Sequence, residues 1–452
     1  MSNSDGIEVK HAATGFYQEA IYGAILFVCF ILGFAFTKIK AGLTRRIASG
    51  LSGFVLVIIT SQYQTIHSFI PILLAYVSIK IFKSKADWVV FSTTLLYLLF
   101  FRLAHGLFPT FCDQNSPFAN AVQLLTTLRV ISYGFEHSSP KNFTSFLDMF
   151  CYIYCYVGLF TGPFYRKSMF DDYCENENLD KIPVKTVILE KLKFLPPSMI
   201  LYVVLKDWFP KEFFMSPEYV NNQSVFQNLM YLQVIFAWCR YRFYMAWICA
   251  EVVCMSSRLG AYRVERKARP GLGPSLPEPE PSDNKVEYNF NAVWNIKIMS
   301  TEFNPSIRQV MRDWNTSVQW WLANYTYKKV PRNVHISLRM AFTMFVSAYW
   351  HGIAPGYFMG FLCVPFIGMV EDLVTKAFKE DFPMVYTYSM YLNKHVSFSM
   401  TGIAFMLLDY SHVMNCWRAA GFAIFWVNGL LAAVSLVKIK AFGGMKKIQK
   451  VE

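Results

Sequence analysis

The stretch AIYGAILFVCFILGFAF, residues 20–36, contains no charged side chain and no proline. As a helix it rises about 1.5 Å per residue, which brings seventeen residues to the lower limit for crossing a bilayer. One such run also suits a buried core helix. Its recurrence decides the fold. Apolar runs return near 66–81, 88–104, 146–162, 194–209, 226–257, 337–362, 361–375, 396–410 and 417–437. A shorter run at 47–60 reads as re-entrant or as packed inside a bundle. The runs are continuous and do not alternate, which argues against a transmembrane β-barrel. The predicted fold is all-α: a polytopic transmembrane helical bundle of about eleven spans or re-entrant helices, forming a single membrane-embedded domain over residues 1–452.

Composition agrees. The 452 residues are 54% hydrophobic and 16% charged, against about 25% charged in soluble proteins. The net charge is +13, and its placement matters more than its size. Lys38, Lys40, Arg45 and Arg46 follow the first run, Lys80, Lys83 and Lys85 follow the third, and Lys438, Lys440, Lys446, Lys447 and Lys450 close the chain. Basic residues at span ends serve anionic lipid headgroups and orientation, so nucleic acid is not an expected partner. The positive-inside rule puts all three clusters in the cytosol and the N-terminus in the lumen, with an odd number of crossings. No basic region precedes the first run and no small-residue cleavage site follows it, so a cleaved signal peptide is not expected. The ten cysteines have neither zinc spacing nor a C-x-x-C pair and read as small buried hydrophobes. Residues 269–285, RPGLGPSLPEPEPSDNK, form a Pro-rich extended loop that cannot span; Arg258, Arg263, Arg266 and Lys267 before it place it in the cytosol.

Several chemistries are absent from the sequence. There is no G-x-S-x-G elbow, no Walker loop, no H-E-x-x-H and no paired-carboxylate motif. The eight histidines are scattered, so no metal site is expected. An enzyme built this way is expected to work by direct transfer with a general base.

Two polar positions interrupt the apolar pattern. Asn304-Pro305 reads as an N-cap and first turn, predicting one helix that runs to Lys328 or Lys329. On it Arg308, Arg312, Asn315 and Gln319 share a face, opposite an apolar stripe of Met311, Trp314, Val318, Trp321, Leu322 and Tyr325. Amides inside a bundle serve either as interhelical glue or as site groups. The arginines meet either substrate phosphates or ordinary anionic lipid. Downstream, in SAYWHGIAPGYFMGFL (347–362), His351 stands in an apolar run. Pro355 has no N–H, so the carbonyl of residue 351 loses its helical donor. An interrupted helix at membrane depth is tolerated where it is buried in protein or lines a wet cavity. His351 is therefore either a satisfied structural histidine or a proton acceptor in a cavity.

These residues resemble a known family. WNTSVQWWLANYTYK (314–328) followed by SAYWHGIAPGYF (347–358) is similar to the paired Asn and His motifs of the membrane-bound O-acyltransferase (MBOAT) family. LLFFRL, NAVQLLTTL, YCYVGLFTGPF and RFYMAWICAE, in order from about residue 95, bring the resemblance closest to its lysophosphatidylinositol acyltransferase branch. The resemblance implies that Asn315 and His351 are catalytic, in an endoplasmic-reticulum protein whose bundle encloses a substrate tunnel. It implies acyl-CoA as co-substrate with no further cofactor, lysophosphatidylinositol as acceptor, and long polyunsaturated acyl chains such as arachidonoyl. Arg308 and Arg312 become candidate phosphate contacts, with Gln319, Trp320 and Trp350 as candidate lining. An acyltransferase acting on another lysophospholipid and a polytopic transporter are the competing readings.

Overall fold

A computed structural model describes residues 3–110, 112–138, 145–215, 222–279 and 286–448, with side chains from residue 17 to residue 441. Among the described residues the α-helices are α1 (Asn3–Phe36), α2 (Leu43–Ser61), α3 (Thr65–Phe82), α4 (Ala86–Leu107), α5 (Pro117–His137), α6 (Phe146–Ile153), α7 (Lys167–Glu175), α8 (Lys185–Leu192) and α9 (Leu195–Trp208). They continue with α10 (Val225–Ser257), α11 (Ile298–Phe303), α12 (Ile307–Asp313), α13 (Thr316–Tyr325), α14 (Ile336–His351), α15 (Pro355–Phe378), α16 (Pro383–Leu407), α17 (Tyr410–Ala419) and α18 (Ala423–Ile448). Two short antiparallel strands, β1 (Tyr262–Arg263) and β2 (Tyr288–Asn289), pair Tyr262 with Asn289 and Arg263 with Tyr288.

Among the described residues, four helical stretches are long and apolar enough to cross a membrane: Tyr17–Phe36, Leu43–Leu107, Pro355–Phe378 and Ala423–Ala441. Phe27, Ile31, Ile59, Leu96, Trp426 and Leu430 on them are each more than half exposed. An outward apolar surface of this extent suits lipid tails rather than water.

The chain divides into two compact units, Met1–Phe194 with Ala246–Asn295, and Leu195–Met245 with Ile296–Glu452. In the first unit the run at 146–162 departs from the predicted span. Only Phe146–Ile153 is helical, and the backbone beyond it is irregular and buried. Arg129, fully buried on α5, makes this tolerable. Its guanidinium donates to the carbonyls of Tyr152, Ile153, Cys155 and Val157 at 2.6–3.3 Å, and it lies 4.6 Å over the Tyr165 ring. One side chain thus satisfies carbonyls that a helix would otherwise have satisfied. The Pro-rich segment is non-helical as expected through residue 279; residues 280–285 of it lie outside the described residues. Its root is pinned where the N–H groups of Ser275 and Leu276 donate to the Arg266 carbonyl at 3.0 and 3.1 Å.

The second unit carries the candidate site. Its α15 packs on α16 without spacer side chains. The Gly356 N–H donates to the Leu408 carbonyl at 2.7 Å, and a Cβ on Gly356 would overlap the Ala404 carbonyl. One turn on, a Cβ on Gly360 would lie 2.7 Å from the Thr401 carbonyl. This is the small-residue packing that lets membrane helices approach closely. Between α16 and α18, Asn393, Ser397 and Asn428 form a buried ring of hydrogen bonds at 2.9–3.0 Å. Glu302 on α11 receives the Arg240 guanidinium in two 2.9 Å bonds and the Tyr244 hydroxyl at 2.7 Å. Burial would raise the Glu302 carboxyl, but Arg240, Tyr244 and nearby Lys394 outweigh it and hold it below its ordinary value.

Candidate active site

The single helix predicted from Asn304 to Lys328 or Lys329 is two α-helices, α12 and α13, followed by a short 3-10 turn at Tyr327–Lys329. Asn304 closes α11 rather than opening a helix, and its side chain accepts the Ser306 N–H at 2.9 Å. Ser306 caps α12 by accepting the Gln309 N–H at 3.1 Å. The α12 helix then stops at Asp313. The buried Asp313 carboxylate draws three donors: Gln309 at 2.7 Å, Ser300 at 2.7 Å and Lys297 at 3.0 Å. The Lys297 N–H donates to the Asp313 carbonyl at 3.0 Å, and Ile296 bridges Trp314. Together these hold Trp314 extended and force the chain to turn.

Asn315 makes that turn. It adopts the left-handed conformation, φ 46° and ψ 52°, which asparagine tolerates better than most residues. Its carbonyl takes the Val318 and Gln319 N–H groups at 3.0 Å, which starts α13. Its carboxamide makes no capping bond and is half-buried. The break also corrects the predicted polar face of Arg308, Arg312, Asn315 and Gln319: the two arginines lie on α12, Asn315 in the turn and Gln319 on α13, so they do not share one helical stripe.

The interruption predicted at Pro355 is present. His351 is the last residue of α14, Gly352 is extended and buried, and Pro355 opens α15. A Cβ on Gly352 would overlap the Tyr357 ring. That glycine lets Tyr357 fold back beside the histidine. The His351 ring lies 5.2 Å from Phe361 and 6.0 Å from Tyr357, both nearly parallel to it. It meets Phe405 edge-on at 5.0 Å and Trp350 at 4.5 Å. The imidazole is half-buried within this aromatic wall.

Aromatic contacts connect the two positions. Trp314, next to Asn315, meets Phe243 at 5.9 Å; Phe243 meets Phe405 at 6.0 Å; Phe405 meets His351. In addition, α13, which starts after Asn315, touches α14, which ends at His351. The remaining candidates fare differently. Arg308 is engaged by α15: its guanidinium donates to the Gly368 carbonyl at 3.0 Å and pairs with Asp372, while its N–H donates to Glu371. Arg312 is exposed. Gln319 is half-buried on α13. Trp320 packs edge-on to Tyr325 at 5.7 Å. Trp350 is buried against His351. Sequence reasoning missed Tyr357, Phe361, Phe405 and Phe243. The first two lie beyond a helix break, where periodicity carries no information, and the others come from distant helices.

The MBOAT family model, described as the membrane-bound O-acyltransferase family, matches residues 57–412. A membrane-bound acylglycerophosphatidylinositol O-acyltransferase of Xenopus laevis is 33% identical over 90% of this chain and 91% of its own length. The proteins of the same description from Homo sapiens and Drosophila melanogaster are 32% and 28% identical, over 93% of both chains and over 89% and 88% respectively. A broken helix presenting one histidine, an asparagine held in a strained turn and this breadth of likeness point one way: the chain belongs to the membrane-bound O-acyltransferase family and is an acyltransferase of the membrane.

Proposed function

We propose that the protein transfers a long polyunsaturated acyl chain, such as arachidonoyl, from acyl-CoA to the sn-2 hydroxyl of lysophosphatidylinositol. His351 takes the hydroxyl proton, and the freed oxygen attacks the thioester carbonyl. The tetrahedral intermediate collapses, the C–S bond breaks, and the proton passes from the imidazolium to the departing thiolate. Asn315 either donates its carboxamide N–H to the oxyanion or orients the imidazole. No cofactor beyond the acyl-CoA substrate enters this scheme. Trp350 and Trp320 line the acyl path, Gln319 lines the site, and Arg312 meets substrate phosphate. Arg308, already paired with α15, holds α12 in place as well as contributing charge. The protein works in the endoplasmic-reticulum membrane as one domain of about eleven spans around a tunnel, with its N-terminus in the lumen and C-terminus in the cytosol.

The observation that supports this reading most strongly is His351 itself. It ends a helix that Pro355 cannot continue, inside an aromatic wall suited to an acyl chain. The acceptor assignment leans on relatives described as acylglycerophosphatidylinositol acyltransferases across nine tenths of the chain. The test compares lyso-inositol, lyso-choline and lyso-serine phospholipids with one acyl-CoA, using His351→Ala as control. Transfer preferring the inositol lipid and falling roughly 10²–10⁴-fold in the variant is expected. Equal rates on the three acceptors overturn the substrate; full activity in folded His351→Ala overturns the mechanism.

A further inference from the structure

The first unit contains a cavity of about 300 Å³ lined by Arg258, Arg263, Arg266, Asp172, Tyr262 and Glu278, among others. It shares no residue with the His351 region, and the acyl-transfer scheme does not use it. Three guanidinium groups converge there. Arg258 is 9% exposed and lies over the Phe34 ring at 5.1 Å. The Nε atoms of Arg258 and Arg263 are both buried without a hydrogen-bond partner. The Arg263 Nε faces the Glu265 carboxylate at 3.7 Å, beyond hydrogen-bond distance, so its donors are incompletely matched within the fold.

The acids at the cavity are unequally committed. Asp172 accepts the Tyr262 hydroxyl at 2.6 Å, and Glu175 pairs with Arg46 at 2.9 Å. That leaves Glu278, mostly exposed, 3.0 Å from Arg266 and 4.0 Å from Arg263. Glu278 sits between Pro277 and Pro279, on the segment pinned at the Arg266 carbonyl. A proline-flanked acid on a pinned strap reaches the arginines as a single carboxylate. One carboxylate does not fill a cavity of about 300 Å³.

We propose that this cavity binds a phosphoryl anion, and that Glu278 is its built-in competitor. Arginine forks match phosphate oxygens in paired, charge-assisted hydrogen bonds. The anion pairs with the guanidinium groups of Arg263 and Arg266 that now share Glu278, and it displaces that carboxylate from Arg266. Two sources share this chemistry, the phosphates of a nucleotide and the phosphate of an inositol headgroup.

The experiment is equilibrium binding to the full-length protein in detergent, with adenosine 3′,5′-bisphosphate in one arm and inositol 1-phosphate in the other. The arm that binds identifies the source; binding in both supports the shared phosphoryl chemistry. Arg263→Gln is expected to weaken binding about tenfold or more. Glu278→Gln is expected to tighten it about two- to fivefold by removing an exposed ionic competitor. Glu278→Gln leaves the arginines in place, so it carries the test should Arg263→Gln fail to fold. Binding is read without turnover and does not depend on the acyl-transfer scheme. Absence of binding in both arms overturns the proposal, as does unchanged affinity in folded Arg263→Gln; unchanged affinity in Glu278→Gln overturns the competitor role.

Discussion

Asn315 makes a backbone turn and, in the proposed mechanism, also presents its carboxamide to the reaction; a single alanine cannot separate these two roles. Its backbone is left-handed, which costs a residue with a Cβ roughly 1–2 kcal/mol, less for asparagine. Its carboxamide makes no capping bond. Asn315→Gly removes the carboxamide but suits the backbone, so stability is expected to hold or rise slightly. Asn315→Ala removes the same group and adds about 1 kcal/mol of left-handed strain. If the carboxamide acts on the oxyanion, both variants lose roughly 10²–10³ in kcat, while only alanine lowers the unfolding midpoint. The assay is acyl transfer by detergent-purified protein alongside thermal unfolding of the same samples. Activity of Asn315→Gly within about twofold of the unaltered protein refutes the catalytic role and leaves the residue a turn-former.

Other perturbations test the packing. Glu302→Ala strands the buried Arg240 guanidinium and is expected to destabilise by about 3 kcal/mol, whereas Arg240→Met with Glu302→Leu recovers much of it in a thermal melt. Gly356→Ala gains helix propensity of about 1 kcal/mol, yet its methyl overlaps the Ala404 carbonyl, so the net effect is expected to be destabilising; a raised midpoint contradicts the close approach of α15 and α16. Burial would raise the Asp313 carboxyl, but hydrogen bonds from Gln309, Ser300 and Lys297 outweigh it and hold it below its ordinary value. A depressed native value means that this stabilisation is complete above the unfolded carboxyl's pKa and lost as pH falls through the lower native value. The melting midpoint of the unaltered protein should therefore drop on strong acidification more steeply than that of Asp313→Asn; parallel pH profiles contradict the network.

The two catalytic candidates were legible for different reasons. His351 stood out because Pro355 breaks a helix by chemistry that needs no tertiary context. Asn315 stood out as an amide among aromatic rings, but the helix assigned to it was continuous. Nothing local ends α12 at Asp313: no proline or glycine lies between Ile307 and Tyr325. The break arises because Ser300 and Lys297, from a preceding segment, converge on the Asp313 carboxylate. Similarly, α5 was overlooked because Gln123, Thr126, Thr127 and Arg129 dilute its hydropathy, although all four are fully buried.

The sequence by itself determined the long apolar helices and the interruption at Pro355, because hydropathy and a missing N–H act within a few residues of chain. Only the tertiary structure decided the turn at Asn315, the aromatic wall around His351 and the irregular backbone after Ile153. Each depends on a partner far away in sequence: Lys297 and Ser300 for the turn, Phe405 for the wall, and Arg129 for the carbonyls. Hydrogen bonds and ring contacts between such distant residues leave no local period to read.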